Sequence, residues 1–510
     1  MLAKVVTASL IGLQVVKIDV EVDTANGLPA VNIVGLPDAA VKESRDRVRA
    51  AIDNSDMEFP MQRVTVNLAP ADSRKEGTHF DLPIAMAVLL STEQANGNPL
   101  KDTVIIGELS LDGTVMGVNG VLPMMLEMKA RGYQRMILPW DNHQEAMLVE
   151  GIHCYFVTHL KELVTDLAKG IQFELTMGMK IDEEDQASLA EDFCEISGQD
   201  SLKRAMEIVA AGSHNLMMVG PPGSGKTMAA RRLPGILPEL GFEESMEVAA
   251  IYSAAGLLTK DVHSLKTRPF RAPHHTASAV SLTGGGRVPR PGEISLSHHG
   301  VLFLDELPEF DKRTLEILRQ PLEDGHVTVS RSAGTFSFPA RFMMIGAMNP
   351  CPCGYYGFDE KGQHCHCAPY QVQRYAHRIS GPLMDRVDLF CEARRIEYED
   401  LTTTKTAESS ATIRKRVMKA RAFQRERYGM ENIKNAYLSP SQIKQYCQLE
   451  SDAAKLMETA FDKMKLSARA YHRMMKVSRT IADMDLSEVI EEKHLAEALQ
   501  FRTNQHFQRS

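Results

Sequence analysis

The chain has 510 residues, of which 44% are apolar and 24% charged, with a formal net charge of −8. That length is too great for one core and predicts several globular domains, and the negative balance confines any nucleic-acid contact to a local basic patch or pore lining. No apolar run reaches the roughly 18 residues a membrane helix needs, and the opening MLAKVVTASLIGLQVVKIDVEV alternates like strands without a cleavage site. A cytoplasmic protein with no membrane partner is therefore expected.

Residues 1–175 read as a mixed α/β domain. VVKIDVEV, VNIVGL, RVTVNLAP and TVIIGELSL have strand patterning, and Asp38–Ser55 and Asp81–Leu90 read as helices. The segments KEGTHFDLPIAM (Lys75–Met86) and GELSLDGTV (Gly107–Val115) resemble the proteolytic domain of the Lon family, which implies a ribosomal-S5-like fold. The departures are specific. Where that family carries its nucleophilic serine this chain has Thr78–Pro83 (THFDLP), and the family's general-base lysine is missing near Gly120–Pro123. A serine–lysine dyad needs both partners, so a non-proteolytic assembly or partner-binding domain is expected. The acidic stretch that follows, within residues 176–192, reads as a solvated linker.

Residues 193–398 carry the chemistry. Asn215–Val219 reads as a buried strand, followed by Gly220, Pro221, Pro222, Gly223, Ser224, Gly225, Lys226 and Thr227, and then by a helix expected to run from Met228 to Leu233 and stop at Pro234. This is a phosphate-binding loop: glycines let backbone N–H groups turn toward phosphate oxygens, Lys226 would reach the β- and γ-phosphates, and Thr227 would ligate Mg²⁺. Further on, the apolar strand GVLFL ends in Asp305 and Glu306. Asp305 is expected to hold Mg²⁺ through its water shell and Glu306 to polarise the attacking water. A third strand, FMMIGAM, ends at Asn349, placed to sense the γ-phosphate. In GPLMDRVD, Arg386 precedes another strand, where ring ATPases place an arginine that reaches the neighbouring subunit's nucleotide; Arg378 and Arg374 are rivals, and a surface salt bridge is the other reading.

These motifs resemble the Mg-chelatase-like branch of the AAA+ ATPases. With a Lon-like domain in front and APHHTASAVSLTGGG, LFLDELPEF and NPCPCG present, essentially the whole chain resembles the YifB/ComM group of that branch. The resemblance implies ATP and Mg²⁺ as cofactors and a homo-hexameric ring. For ComM it implies ATP-driven DNA branch migration while incoming DNA is integrated by homologous recombination in natural transformation. It also implies that the arginine of S-x-R-A, here Arg469, lies on the lid above the nucleotide as a second sensor.

Two insertions carry a mechanical expectation. Arg271–His299 has a glycine-rich tip ending at Arg287, and His326–Phe342 reads as a hairpin with Arg331 and Arg341 near its ends. Arg287 and Arg331, repeated around a ring, would grip DNA phosphates without reading sequence; the other reading is that both loops pack on neighbours. Of eight cysteines, Cys351, Cys353, Cys365 and Cys367 cluster in two C-x-C pairs, suiting a closed structural Zn²⁺ site, with reduced free thiols as the other reading. The pairs His274–His275 and His298–His299 read as loop or packing histidines. Residues 399–510 read as a helical lid with caps at Ser439/Ser441 and Ser487. Lys465, Arg469, Arg473 and Lys476 lie near one helix face, usually a solvated stripe, and the basic helix from Arg414 to Arg427 suits either DNA contact or a charged outer face. The sequence thus reads as an AAA+ motor on single-stranded and branched DNA, with a protein-remodelling ATPase and a magnesium-chelatase-type motor subunit left open as alternatives.

Overall fold

In the N-terminal unit the long strands Leu2–Ile11 and Gln14–Ala25 pair antiparallel with Val5 opposite Val20. Period-two patterning puts Ile18, Val20 and Val22 on one face, continued by Val64, Val66 and Leu68 of strand Arg63–Ala69, and all of these are fully buried. They form the middle of an eight-stranded mixed sheet in the order Glu174–Leu175, His153–Val157, Arg135–Pro139, Thr103–Ile105, Leu2–Ile11, Gln14–Ala25, Arg63–Ala69, Ala30–Val34. The computed structural model describes residues 2–72, 74–178, 191–258, 266–286, 289–331, 334–358, 364–395, 408–430 and 433–502. Helix Ala39–Asp53 starts on the Asp38 carboxylate, which accepts from the Val41 N–H at 2.9 Å. Helix Asp81–Ser91 is buried on nearly every side. TVIIGELSL is not one strand: Thr103–Ile105 joins the main sheet, while Glu108–Leu109 turns away to pair with Val115–Met116. The Gly107 carbonyl accepts from the Leu82 N–H at 3.0 Å, and its N–H donates to the His79 carbonyl at 3.2 Å, so the chain bends there to meet the helix start.

The motor sheet is parallel throughout, in the order Phe270–Arg271, Val301–Leu304, Met343–Met348, Leu216–Val219, Leu389–Glu392. Strands covered on both faces read as continuous apolar runs, and Leu216–Val219, Val301–Leu304 and Met343–Met348 are buried along their whole lengths. Leu216–Val219 lies between strands that come much later in sequence, and ligands of such sheets bind beyond the C-terminal strand ends at that kind of crossing. Helix Lys226–Ile236 does not stop at Pro234 but runs through it. Leu233, Ile236 and Leu237 are buried in the motor core, and their burial outweighs the one backbone bond that proline removes from the last turn.

The C-terminal helices are Ser410–Tyr428, Pro440–Tyr446, Ser451–Lys463, Ala468–Met484 and Glu492–Gln500. Ser439 caps the second of these, with Ser441 inside it. Ser487 caps nothing: its hydroxyl donates to the Val489 carbonyl and to Glu491, and Glu491 starts the last helix. Only half of the basic stripe is a solvated face: Lys465 and Arg469 are exposed, whereas Arg473 donates to the Val387 carbonyl at 3.2 Å and Lys476 to the Ala436 carbonyl at 2.8 Å. The basic helix is also largely spent within the chain. Arg414 bonds the Gly235 carbonyl, Arg416 pairs with Glu207 and Glu408, Arg421 bonds the Ala210 carbonyl, and Arg427 pairs with buried Asp483. Lys415, Lys419 and Arg425 of the same helix remain exposed.

The N-terminal unit sits on the motor through helix Phe242–Ala255. Ala249 shares an apolar cluster with Val121, Leu122 and Met125, and the Gly120 N–H donates to the Ser253 carbonyl at 3.1 Å. Most of the acidic linker lies outside the described residues. At its edges Thr176 is buried in the N-terminal unit, while the Asp192 carboxylate accepts from the Ser410 N–H at 3.0 Å and belongs to the motor. No described helix is long and apolar enough to cross a membrane.

Candidate nucleotide site and cysteine cluster

The strand Leu216–Val219 delivers the loop, and Gly220 has no room for a side chain: a Cβ there would stand 2.2 Å from the Ala393 carbonyl oxygen. Lys226 opens the following helix yet is buried, and its Nζ folds back to donate to the Gly220 carbonyl at 2.8 Å and the Pro221 carbonyl at 2.9 Å. Burial pushes this ammonium down to about 8 against the opposing attraction of Asp305. The Thr227 hydroxyl donates to Asp305 at 2.7 Å. Asn349, at the end of strand Met343–Met348, puts Oδ1 3.4 Å from Lys226 Nζ. Four residues from three separated motifs thus converge beyond the C-terminal ends of adjacent strands. A hydroxyl and a carboxylate in contact form the oxygen donor set a hard divalent cation takes, and a lysine whose hydrogen-bond acceptors are all neutral (two loop carbonyls, the Ser224 hydroxyl and the Asn349 amide oxygen) can exchange them for phosphate oxygens. The residues fit ATP with Mg²⁺.

Glu306 follows at φ 49°, its side chain half-exposed, and its carboxylate lies 3.3 Å from His275 Nδ1. The His274–His275 pair is therefore not merely packing. The other pair is: His298 and His299 both direct Nε2 at Glu247, at 3.0 and 2.7 Å, and hold that carboxyl well below its usual range. His298 Nδ1 accepts the Arg341 N–H at 3.0 Å, which leaves the proton on Nε2 and makes the cluster a hydrogen-bonded brace rather than a metal site.

Arg386 and Arg469 do not join Lys226. They converge on Glu323, one on each carboxylate oxygen, with Arg469 at 3.4 Å and 62% exposed. Arg386 also donates to the Pro382 carbonyl at 2.6 Å, and its buried Nε has no acceptor among the described residues. They border a cavity of about 730 Å³ that Arg473 and Lys476 also line. Arg378 pairs with Glu309 at 2.7 Å, and Arg374 is exposed. Arg287 lies outside the described residues. Arg331 closes strand His326–Arg331 opposite Gly334, and the hairpin with Gly334–Pro339 buries Val327, Val329, Phe336 and Phe338 in a cluster that Ile11 and Leu13 of the N-terminal unit pack against. Its other face, Thr328, Ser330, Thr335 and Ser337, is exposed.

The four cysteine sulfurs lie within 4.8 Å of one another, with Cys351 Sγ 3.3 Å from Cys353 and 3.7 Å from Cys365. Two further residues went unread in the sequence. Gln199 donates to the Ser224 carbonyl at 3.1 Å and also to the Arg394 carbonyl, clamping the phosphate loop. Glu323 gathers the two arginines. No motif marks either one, since a lone glutamine or glutamate acquires meaning only from what folds beside it.

Comparison with known families places this site in a class. Residues 192–401 match the model described as magnesium chelatase, subunit ChlI; residues 20–142 match subunit ChlI of Mg-chelatase; and residues 407–502 match its C-terminal region. The fold is that of a Mg-chelatase-like AAA+ protein. Over 497 residues the chain is 44% identical to the uncharacterized protein YifB of Escherichia coli strain K12, covering 97% of this chain and 96% of that one. Over 508 residues it is 44% identical to competence protein ComM of Haemophilus influenzae, covering 98% and 97%. An uncharacterized protein of Mycobacterium tuberculosis strain H37Rv is 41% identical over 487 residues, covering 95% of each. The chain belongs to the YifB/ComM family of Mg-chelatase-like proteins.

Proposed function

We propose that this protein is an ATPase that assembles as a homo-hexameric ring and drives movement on single-stranded and branched DNA, serving recombination of incoming DNA in natural transformation. The convergence of Lys226, Thr227, Asp305 and Asn349 carries the reading. Lys226 exchanges its loop carbonyls for the β- and γ-phosphates, Thr227 and Asp305 hold Mg²⁺, and Asn349 touches the γ-phosphate or the attacking water. A Mg²⁺ held there would supply Lewis-acid neutralisation of the phosphate charge. Glu306 orients that water, with His275 steadying its carboxylate. Arg386 pairs with Glu323 and keeps a buried donor without an acceptor among the described residues, as suits an arginine that completes a neighbouring subunit's site, while Arg469, on the same glutamate, serves as the second sensor on the lid. The hairpin His326–Pro339 is the candidate pore element, its exposed Thr328, Ser330, Thr335 and Ser337 offered to DNA, with Arg331 and Arg287 as its basic contacts. The N-terminal unit is Lon-like in fold and lacks proteolysis. Cys351, Cys353, Cys365 and Cys367 hold a structural Zn²⁺. The name of ComM in Haemophilus influenzae supports the competence setting.

ATP-dependent branch migration of a synthetic four-way DNA junction tests this, with Lys226→Ala as the control. Migration by the wild type alone is expected. ATP hydrolysis stimulated by unfolded protein and indifferent to DNA would transfer the motor to protein remodelling.

A further inference from the structure

The turn that carries the first cysteine pair is built against the phosphate loop. Strand Met343–Met348 ends at Asn349, Pro350 follows, and Cys351 comes next, so the nucleotide-sensing amide and a cluster thiol are two residues apart. Cys351 is fully buried, and its sulfur accepts the Tyr356 N–H at 3.4 Å while its carbonyl accepts the Gly354 N–H at 3.0 Å. Gly354 has φ +92°, and a Cβ built on it would stand 2.6 Å from Pro222 Cδ, inside the phosphate loop. The cysteine turn thus presses its backbone onto that loop at a point where only glycine fits. The sulfur separations of 3.3, 3.6 and 3.7 Å are close to the tetrahedron edge of about 3.8 Å set by Zn–S bonds of about 2.3 Å. Four thiolates leave no open ligand position, so such an ion would hold shape and do no chemistry of its own.

We infer that a zinc ion bound by Cys351, Cys353, Cys365 and Cys367 is a positioning element of the nucleotide site, fixing Pro222 of the phosphate loop against the Asn349 end of its neighbouring strand. This rests on the reading of that loop as an ATP site. The cluster joins a chain segment after Asn349 to one beyond residue 364, and the loop between them has few apolar residues to hold it by burial. With the metal bound, the Gly354 turn becomes a rigid wall behind Pro222. Without it, Asn349 and the loop lose their common support, and the spacing between Lys226 and Asn349 widens. A misplacement of up to about 1 Å at a phosphoryl-transfer site costs roughly tenfold to a hundredfold in turnover.

The full-length protein purified without chelator should contain one zinc per chain by elemental analysis. Stripping the metal with a thiol-reactive mercurial and a chelator, then reducing, should lower ATP turnover roughly tenfold or more, and adding zinc back should restore it. Gly354→Ala keeps all four thiols and should retain zinc, yet its methyl meets Pro222, so binding of a fluorescent ATP analogue should weaken roughly tenfold. Thermal melting of that variant, with zinc content measured alongside, separates loop displacement from general unfolding. Wild-type protein with no zinc, whose four cluster thiols titrate along with the exposed Cys194, overturns the metal site. Zinc-free wild type that binds and hydrolyses ATP as the loaded protein does overturns the coupling. Zinc-loaded wild type that binds no nucleotide overturns the ATP reading, and the coupling with it, while the metal site stands.

Discussion

Lys75 in the N-terminal unit and Lys226 in the motor are both buried, and both send Nζ to backbone carbonyls, that of Pro70 for the first and those of Gly220 and Pro221 for the second. Burial pulls both ammonium groups below their ordinary range. Their surroundings differ. Beside Lys75, the Thr78 hydroxyl donates to Glu108, and Asp81 is held by Arg47 through two bonds of 2.7 and 3.1 Å. The strong charges there are already matched inside the fold. Around Lys226 the acids Asp305 and Glu306 and the hydroxyl of Thr227 stand at an opening, and Lys226 itself is held by neutral carbonyls that phosphate oxygens outcompete. A buried lysine marks a site only where its neighbours keep bonding capacity for a ligand.

Exchanging the two lysines' fates gives the largest expected effect. Lys226→Ala should lower ATP turnover by roughly a thousandfold, the scale of losing a charged donor from a phosphoryl-transfer site, with the melting profile little changed. Lys75→Met should leave turnover within about twofold and instead remove roughly 0.5–1.5 kcal/mol of stability, the scale of one lost intramolecular hydrogen bond to the Pro70 carbonyl. Steady-state ATPase assays and thermal melts on both variants decide it, and a turnover loss for Lys75→Met comparable with that of Lys226→Ala would dissolve the contrast.

The N-terminal site should also respond to acid. His79 is buried, its Nε2 has no partner among the described residues, and burial pushes it down to about 4. Its folded value lies below the unfolded one, so the unfolded chain binds more protons between these values and stability falls as pH drops from about 6.5 toward 4, by about 3 kcal/mol. Amide exchange over strands Leu2–Ile11 and Gln14–Ala25 should accelerate across that window, and His79→Gln should flatten the response.

Legibility in the sequence followed the same division. The phosphate loop, Asp305–Glu306 and Asn349 were readable because each is a local pattern at the end of an apolar strand, and the parallel sheet brings such ends together. The hairpin at His326–Pro339 was readable from alternation alone. What could not be read depends on contacts far apart in sequence. The stripe Arg473–Lys476 has the spacing of a solvated face, yet Val387 and Ala436 carbonyls cover it. The basic helix around Arg414–Arg427 has the composition of a DNA-binding surface, yet Glu207 and Asp483 arrive from two distant segments to pair with Arg416 and Arg427, while Lys415, Lys419 and Arg425 stay exposed. The positions of Arg386 and Arg469 beside Glu323 are of this kind too, since helix spacing fixes the face a residue occupies and not its partner.

The smallest effect is the pH dependence of ATP binding, and it bears on the contrast most directly. Lys226 titrates near 8 in the free protein, so above that pH it is increasingly neutral. Bound phosphates favour the charged form and raise its value, so binding above about pH 8 takes up a proton. ATP affinity should then be level near neutrality and fall with rising pH by up to about tenfold per unit. Calorimetric titrations in two buffers of unlike ionisation enthalpy read the proton uptake directly. Lys226→Arg should bind more weakly but lose this slope, because a guanidinium keeps its proton across the whole range. Affinity that stays level for the wild type through the alkaline range would mean that the loop carbonyls already hold Lys226 fully charged. The two buried lysines would then differ only in their neighbours and not in their readiness to give up a proton.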